Sequence, residues 1–450
     1  MHFLSIDTTT TIIAPATASG GATVVVRLSG PEAITIADKL FRGRTHLADA
    51  KGYTMHYGDI VTPDGEVVDD AVVALFRAPH SYTGDDSVEF TLHGSEYIAS
   101  RLMQLAIEHG ATMATPGEFT RRAFLVGKMD LSRAEAVADI IASDSRWSHN
   151  IASTQMRGSY SDKITLLRDE LLRLCSLLEL ELDFSEEDVE FADRKQLAMI
   201  IEKIAKQLDA LCSSFALGNA LKNGVNVAIV GEPNVGKSTL LNTLIGDDCA
   251  MVSDIAGTTR DTIEAVTTID GVRFRFVDTA GLRETEDSLE QMGIERTQRA
   301  ISKAHVVLHI ASAELPNFEQ VNILDSQCYI RVINKIDKVI AIDNLDCDAV
   351  HISAKNDIGI DALRTRLRSA VDTSAVNAGD IVVSNMRHYE AFNKALSALR
   401  DAQQAMRSSL PADLLSEDIR RVIHHLGEIT GEITSDDILH SIFSKFCIGK

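Results

Sequence analysis

The spacing of apolar residues changes along the chain and predicts its organisation. Residues 1 to about 125 contain short runs rich in β-branched residues, ATVVVRL, DDAVVALF and VEFTLH, separated by glycine and proline. Runs of this kind predict strands, and a stretch from about Ser95 to His109 has the spacing of a helix. We therefore expect a small α+β domain in this part of the chain.

Two later segments have helical spacing. Their apolar residues recur at steps of three and four, which places them on one face of a helix. The first segment has this spacing on both sides of the acidic sequence DFSEEDVEF, at Ile164, Leu167, Leu171, Leu174, Leu178, Leu197, Ile201, Ile204, Leu208, Leu211 and Phe215. The second segment runs from about Asn385 onward. Because each segment has an apolar stripe, we expect the two to pack against each other.

Residues 225 to about 371 lie between these segments and alternate apolar runs with helical stretches. The runs VNVAIVG, RFRFVDT, AHVVLHI and YIRVINK predict a parallel sheet with crossover helices. A domain tolerates an insertion well when its own ends lie close together. We therefore predict an α+β domain at 1–126, an all-α helical domain split between 127–220 and 375–450, and an α/β domain inserted at 221–374.

Composition excludes several classes of protein. The net charge of −21 disfavours a protein that coats a nucleic-acid duplex or a membrane surface. The six cysteines form neither a C-x-x-C pair nor a cluster with histidine, so no disulfide framework or zinc site is indicated. No lysine or arginine precedes the apolar part of MHFLSIDTTTTIIAPATA, and no apolar run approaches the ~20 residues that span a bilayer. We expect a cytoplasmic protein with no membrane partner.

The sequence VAIVGEPNVGKSTLLNTLIG contains a phosphate-binding motif. Gly231 to Ser238 match G-x-x-x-x-G-K-[ST] between a predicted strand and a predicted helix. In this arrangement backbone N–H groups face a diphosphate, Lys237 neutralises phosphate oxygens and Ser238 offers a hydroxyl to Mg²⁺. A chance match remains an alternative for this motif alone.

Three further motifs follow in the expected order. DTAG begins at Asp278, NKID ends at Asp337, and SAK covers Ser353 to Lys355, each after a predicted strand. A carboxylate at Asp337 can accept from the two adjacent donors of guanine, whereas adenine would leave it poorly paired. The set is similar to the translation-factor-related GTPases and indicates binding of GTP and GDP with Mg²⁺.

The residue after DTAG is Leu282, where many such GTPases have a glutamine that orients the attacking water. Leucine cannot orient water, so another group must do so. Candidates are the acids in LRETEDSLEQMGIER, namely Glu284, Glu286, Asp287, Glu290 and Glu295. For each of them a solvated helix face is the alternative.

The sequences DIAGTTRD, DTAGLRE and FCIGK, on this domain plan, resemble the MnmE (TrmE) family of tRNA-modifying GTPases across essentially the whole chain. The resemblance implies a potassium-activated GTPase whose G domains dimerise, with K⁺ in place of an arginine finger. It also implies modification of carbon 5 of the tRNA wobble uridine, with a one-carbon unit from tetrahydrofolate in its 5-formyl or methylene form. The implied partners are tRNA, a second copy in a homodimer, and the flavoprotein MnmG (GidA), which alone would carry FAD.

The resemblance also assigns roles to residues of the G domain. Asn234, Ser253, Ile255 and Thr258 would hold K⁺, and Thr259 would join Ser238 at Mg²⁺. Glu290 would orient water, with Lys237 as a second catalytic residue, while Arg260 and Arg283 would be switch and dimer contacts. Motifs and resemblance together give these nucleotide-binding residues: Asn234, Val235, Gly236, Lys237, Ser238, Thr239, Ser253, Asp254, Ile255, Ala256, Gly257, Thr258, Thr259, Asp278, Thr279, Ala280, Gly281, Asn334, Lys335, Asp337, Ser353, Ala354 and Lys355.

The α+β domain would bind the folate and take part in dimerisation. The matching residues are Arg27, Glu89, Lys128 and Lys450. A pterin offers paired N–H donors to a carboxylate such as Glu89, and a glutamate tail needs cations. Without the resemblance, Arg27 and Lys128 would be interpreted as ordinary surface charges. Glu89 would be interpreted as a charged residue that keeps an edge strand soluble. The usual HGG reads HGS here, and the glycine loop TASGGAT lacks its arginine.

A helix before the FCIGK sequence would hold this segment at the folate pocket. Ser435 is expected as its N-cap, with Ile438, Ile442 and Phe446 as its buried anchors. Cys447 would then take part in tRNA modification, although a buried structural thiol is the alternative.

Two other functions remain open from sequence. A ribosome-assembly GTPase would share the G domain but would carry basic or G-x-x-G RNA-binding signals. A folate enzyme could also use its G domain for regulation alone.

Overall fold

The structure is a computed structural model that describes residues 9–183, 194–246, 264–278, 298–318, 320–325, 327–339, 346–377, 380–408 and 412–449. The chain divides into two compact units. The first unit contains residues 1–138, 161–168 and 426–450, and the second contains 139–160 and 169–425. Among the described residues, no helix is both long enough and apolar enough to cross a membrane.

The first unit contains a seven-stranded sheet. Its strands are β1 (Ile12–Pro15), β2 (Thr23–Ser29), β3 (Phe41–Gly43), β4 (Thr54–Val61), β5 (Val67–Phe76), β6 (Ser87–His93) and β7 (Thr112–Met113). They lie in the order β3-β4-β5-β6-β2-β1-β7, and every pair is antiparallel except β1 with β7. Helices α1 (Ala33–Leu40), α2 (Glu96–Glu108) and α3 (Glu118–Leu125) complete this region. The predicted α+β fold is confirmed.

One face of this sheet forms the core of the first unit. Alternate residues of β2, Val24, Val26 and Leu28, are buried and pack with residues of α1 and α2, as the period of two along a strand requires. The intervening residues, which include Arg27, therefore lie on the opposite face. Helices α1 and α2 thus pack on one face of the sheet, and the opposite face is available for polar contacts.

The second unit contains a six-stranded sheet. Its strands are β8 (Val225–Val230), β9 (Glu264–Ile269), β10 (Val272–Asp278), β11 (Val306–Ser312), β12 (Cys328–Asn334) and β13 (Val350–His351). The order is β13-β12-β11-β8-β10-β9, and all pairs are parallel except β9 with β10. The four runs that predicted a parallel sheet form β8, β10, β11 and β12, and their pairing is parallel, as expected. Strand β9 was not predicted; it joins β10 through a tight hairpin turn at Asp270 and Gly271, both with positive φ.

The remaining helices are α4 (Leu131–Ala142), α5 (Arg146–Met156), α6 (Ser159–Asp183), α7 (Arg194–Ser213), α8 (Phe215–Asn223), α9 (Lys237–Ile245), α10 (Ile360–Ser369), α11 (Ser374–Asn377), α12 (Met386–Arg407), α13 (Ala412–Thr430) and α14 (Asp436–Phe443). Arg400 of α12 pairs with Asp209 of α7 at 3.2 Å, and Arg420 of α13 pairs with Glu179 of α6 at 2.5 Å. These ion pairs join helices from the two segments with helical spacing.

The helical segment before the second sheet also contributes to the core around that sheet. Trp147 and Ile151 of α5 belong to the same buried cluster as Val272 of β10 and Leu308 of β11. The boundary drawn between a helical domain and an inserted domain therefore crosses one continuous hydrophobic core. The four residue ranges given above stay predictions.

Candidate functional site

The nucleotide loop lies between β8 and α9, at the carboxyl end of a central strand. Gly236 has φ +96°, and a Cβ at this position would lie 2.4 Å from Nδ2 of Asn334. Only glycine satisfies both the left-handed backbone and this close approach. Asn234 also has positive φ, +63°, so the loop curls tightly before the helix begins.

Lys237 is the first residue of α9. Its Nζ donates to the carbonyl oxygens of Gly231 and Glu232, both at 2.9 Å. The ammonium group therefore lies over the curled loop, beside the N-terminus of a helix, where phosphate oxygens are favoured by charge and by backbone N–H groups. Ser238 and Thr239 follow on the exposed side of the same turn.

Asn334 connects the nucleotide loop to the SAK segment. Its side chain is buried, Nδ2 donates to the carbonyl of Val235 at 2.8 Å, and Oδ1 accepts from the backbone N of Ala354 at 3.0 Å. Lys335 adds a bond from Nζ to the carbonyl of Asn234 at 2.5 Å. The three predicted motifs that the structure describes are thus joined by hydrogen bonds.

Asp337 presents an ionised carboxylate beside this junction. Oδ1 accepts from the Ser353 hydroxyl at 2.5 Å. That hydrogen bond, with smaller contributions from a backbone N–H and from Lys355 and Lys338, holds the pKa of the carboxyl below its usual value. The group is therefore a hydrogen-bond acceptor at neutral pH, as recognition of guanine requires.

Several predicted residues lie outside the described part of the chain. They are Ser253, Asp254, Ile255, Ala256, Gly257, Thr258, Thr259, Arg260, Thr279, Ala280, Gly281, Arg283, Glu290 and Lys450, and their roles stay predictions. Asp278 ends β10 opposite Ile229 of β8, so the DTAG motif starts next to the strand that leads into the nucleotide loop.

The sequence did not identify His309, a buried polar residue of β11 that interacts electrostatically with Glu232 of the nucleotide loop. His309 is 2% exposed, and its Nδ1 pairs with the Tyr329 hydroxyl at 2.8 Å. Burial lowers the pKa of His309, while the nearby Glu232 carboxylate opposes that shift. Asn317 donates to Glu232 at 3.1 Å. The signal that could have identified His309 was the presence of a histidine inside the apolar run VVLHIAS.

In the first unit, Arg27 and Glu89 are paired across β2 and β6. Arg27 Nε donates to Glu89 Oε1 at 2.8 Å, and a second guanidinium nitrogen lies 2.8 Å from the same oxygen. The guanidinium also lies over the rings of Tyr82 and Phe119, with centroids at 5.2 and 5.5 Å. The alternatives drawn from sequence are wrong for this pair: Arg27 is only 14% exposed, and Glu89 is on an inner strand.

Lys128 reaches the loop that carries Tyr82. Its Nζ donates to the carbonyl of Ser81, and its side chain is exposed. Lys128 and Arg27 therefore contact neighbouring residues of one loop. The HGS variation causes no backbone strain, because Ser95 has φ −75° and precedes α2 as its N-cap residue.

The C-terminal segment lies against the same strands. Gly449 has φ +99°, a Cβ there would lie 2.0 Å from the carbonyl of Pro15, and its own carbonyl is 3.5 Å from Arg27 Nη1. Cys447 is exposed, so it is not a buried structural thiol. The structure thus brings the FCIGK segment to the Arg27–Glu89 pair.

The anchors of α14 differ from the expected ones. Ser435 caps the helix by accepting from the N–H of Ile438, as predicted, but Leu439 and Phe443 are buried together with Phe446. Ile442 is only partly buried at the edge of this cluster. The stripe formed by Leu439 and Phe443 therefore faces the core, in place of the predicted stripe of Ile438 and Ile442.

Comparisons with known proteins cover nearly the whole chain. The family described as GTP-binding protein TrmE N-terminus matches residues 11–128, and the family described as MnmE helical domain matches residues 131–447. The chain is 48% identical to the tRNA modification GTPase MnmE of Bacteroides fragilis, over 98% of this chain and 99% of that protein. It is 47% identical to the protein of the same name from Cytophaga hutchinsonii, over 98% of each chain.

Similarity to solved structures is partial. Era of Aquifex aeolicus, solved with GDP and aluminium fluoride, is 30% identical over 38% of this chain and 65% of that chain, with a TM-score of 0.27.

Proposed function

This chain belongs to the MnmE family of tRNA modification GTPases, and from that premise we propose how its two sites work together. The protein is a GTP hydrolase that takes part in tRNA modification. We propose that GTP hydrolysis drives a conformational cycle while a folate supplies one carbon to position 5 of the wobble uridine. The observation that carries the GTPase part is the hydrogen-bonded junction of the nucleotide loop, Asn334 and Ala354.

Lys237 and Asp337 bind opposite ends of the nucleotide in this proposal. The Lys237 ammonium exchanges its two loop carbonyls for β and γ phosphate oxygens when GTP binds. Asp337 accepts from the guanine N–H groups, already oriented by Ser353. The buried side-chain amide of Asn334 therefore holds together the segments whose residues bind the base and the phosphates.

The hydrolysis step needs a cation and an oriented water. Mg²⁺ and K⁺, when bound, would neutralise charge on the phosphates, with Ser238 and Thr259 at Mg²⁺ and Asn234, Ser253, Ile255 and Thr258 at K⁺. The exposed Asn234 side chain supports this assignment, since its amide hydrogen-bonds to no other described residue and keeps its oxygen available. We propose Glu290 as the group that orients water, because Leu282 cannot.

The Arg27–Glu89 pair is proposed as the folate site. Both contacts from Arg27 go to Oε1 of Glu89, and no described residue donates to Oε2. That oxygen can accept from a pterin N–H. Tetrahydrofolate, when bound, would supply the one-carbon unit, with Lys128 and Lys450 as further contacts. Arg27 holds the carboxylate and the C-terminal segment in place.

The partners follow from the family premise. We propose that the protein acts as a homodimer together with MnmG (GidA), which would supply FAD. We also propose that the exposed Cys447, two residues before the Gly449 carbonyl that contacts Arg27, takes part in modification. The ribosome-assembly alternative is set aside by family membership. One experiment separates coupled hydrolysis from regulation by the G domain alone.

The experiment compares Lys237→Ala with Lys203→Ala. Lys203 is an exposed helical lysine paired with Glu170, so it is a matched control away from the nucleotide loop. Uridine modification is measured by mass spectrometry of tRNA treated with the protein, MnmG, GTP and a reduced folate. Loss of GTP binding and of modification in Lys237→Ala alone supports coupling. Full modification by Lys237→Ala would instead make the G domain a regulator.

A further inference from the structure

Four groups of the G domain form a closed hydrogen-bonded circuit. The Val235 carbonyl accepts from Asn334, Asn334 accepts from the backbone N of Ala354, and the Ala354 carbonyl accepts from the Thr243 hydroxyl at 2.9 Å. Thr243 lies in the last turn of α9, the helix that starts two residues after Val235. Helix α9 therefore closes the circuit between the phosphate loop and the SAK segment.

The Thr243 hydroxyl donates its one proton to the Ala354 carbonyl and not to the Thr239 carbonyl. Oγ1 lies 2.9 Å from both the Ala354 carbonyl and the Thr239 carbonyl, and it has one proton to donate. The Thr239 carbonyl, inside α9, already accepts the backbone N–H four residues later. The Ala354 residue is 4% exposed and its carbonyl has no other donor among the described residues. A buried carbonyl without a partner is costly, so this bond is the one retained.

This bond fixes a peptide plane next to the guanine-binding carboxylate. The Ala354 carbonyl and the Lys355 N–H belong to one planar trans peptide, so they point in opposite directions. With the carbonyl held toward α9, the Lys355 N–H points away from it. In the described part of the chain no acceptor pairs with this N–H, while the Lys355 side chain is close enough to Asp337 to lower the pKa of its carboxyl.

We propose that Thr243 is a positioning residue for guanine specificity, which acts by orienting the Lys355 N–H as the donor for the 6-oxygen of guanine. Guanine presents an acceptor at position 6 beside its N1 and N2 donors, whereas adenine presents an amino group there. Asp337 reads the donors and the Lys355 N–H reads the acceptor. If the peptide turned over, the Ala354 carbonyl would face the 6-oxygen, acceptor against acceptor.

The test uses Thr243→Val, which removes the hydroxyl at nearly constant volume, and Thr243→Ser, which keeps it. Affinities for GDP, for IDP and for the diphosphate of 2-aminopurine riboside, which lacks the 6-oxygen, are measured by displacement of a fluorescent GDP. Thr243→Val is expected to lose about three- to tenfold in affinity for GDP and equally for IDP, the range that one net hydrogen bond corresponds to. Its affinity for the 2-aminopurine compound should stay unchanged, and Thr243→Ser should behave like the unmodified protein.

Each other outcome has a separate meaning. Equal losses for all three ligands, or none, would overturn the proposal, because the hydroxyl would then support the fold or nothing at all. The proposal rests on the guanine site described above, which is checked independently. If the unmodified protein did not prefer GDP to ADP, the assignment of Asp337 would fail first. A preference for GDP that persists undiminished against 2-aminopurine in Thr243→Val would overturn only the role of Thr243.

Discussion

At the scale of single residues, the Ser353 hydroxyl prepares Asp337 for its role. We expect Ser353→Ala to move the pKa of Asp337 back toward its usual value, because the hydrogen bond that lowers it is lost. The carboxylate stays ionised at pH 7, so a drop of about three- to tenfold in GDP affinity would report lost orientation and not lost charge. Calorimetric titration of GDP at pH 7 measures the affinity, and NMR of a labelled carboxyl measures the pKa.

The direction of the Asp337 pKa shift also determines how its contribution to stability changes with pH. Because the folded pKa lies below the unfolded one, the contribution of Asp337 to stability is present above the unfolded pKa and is lost as pH falls through the folded pKa. Wild-type affinity in Ser353→Ala would show that the hydroxyl does not orient the carboxylate.

Glu290 is the acid assigned to water orientation. We expect Glu290→Gln to lower GTP turnover about a hundredfold or more while GDP affinity changes little, since general base and positioning effects act on the reaction and not on binding. Single-turnover hydrolysis gives the rate. Glu286→Gln, four residues earlier, is the matched control. Should the control lose turnover and Glu290→Gln retain it, the role would pass to Glu286.

At the scale of elements, strand β11 carries a buried histidine whose protonation the fold resists. Burial lowers the pKa of His309 below its usual value, so between the two pKa values the unfolded chain binds a proton that the folded chain does not. Stability should therefore fall as pH drops below about 6.5, by less than about 1.4 kcal/mol per pH unit for this one group. Urea unfolding from pH 7.5 to 5.5 measures the slope.

His309→Gln tests this assignment, because glutamine does not titrate. Its slope should be shallower than that of the unmodified protein over the same range. The partly buried His305, just before β11, also has a pKa lowered by burial and would retain part of the effect. Identical slopes would mean that His309 is not the titrating group.

Helix α14 and the residues after it form a second testable element. We expect Cys447→Ser to keep GTP hydrolysis and to end tRNA modification, because the exposed thiol lies two residues before the Gly449 carbonyl that contacts Arg27 and is remote in sequence from the G domain. Gly449→Ala should also lose modification, since a Cβ would meet the Pro15 carbonyl at 2.0 Å. Ile448→Ala, at a residue that is 52% exposed, is the control.

The readout separates chemistry from folding. Hydrolysis and modification are assayed on the same preparations of all three variants. Loss of both activities in Cys447→Ser would indicate a structural role for the thiol.

At the scale of the whole molecule, the G domain is expected to depend on a monovalent cation. From Asn234 and the leucine at position 282, GTP turnover should be faster in KCl than in NaCl at equal ionic strength. The comparison uses steady-state hydrolysis over a range of protein concentrations, because dimerisation would make the specific rate rise with concentration. Equal rates in both salts would remove K⁺ from the mechanism.

The sequence predicted the strands that lead into the phosphate, NKID and SAK motifs, because each motif follows a mainly apolar run. It missed the β9–β10 hairpin, although Asp270–Gly271 is a turn signal, since the parallel rhythm around it was stronger. It chose Ile438 and Ile442 over Leu439 and Phe443 because DDILHSIF offers two adjacent apolar stripes. Only the tertiary environment decides which stripe faces the core.

Individual hydrogen bonds between distant segments could not be predicted from the sequence. The Thr243–Ala354 bond joins residues 111 apart, and the contact of Arg27 with Gly449 spans 422. Local spacing holds no information about such pairs. Pairing of Arg27 with Glu89 depends on strand register, which is fixed by the sheet as a whole.

The division of the chain between the two units has a consequence for translation. The polypeptide passes from one unit to the other after residues 138, 160, 168 and 425. Leu131 and Ala134 must therefore wait for Leu439, Phe443 and Phe446 before their shared cluster can close. While the ribosome makes the intervening three hundred or so residues, this apolar face of the nascent chain stays accessible to chaperones.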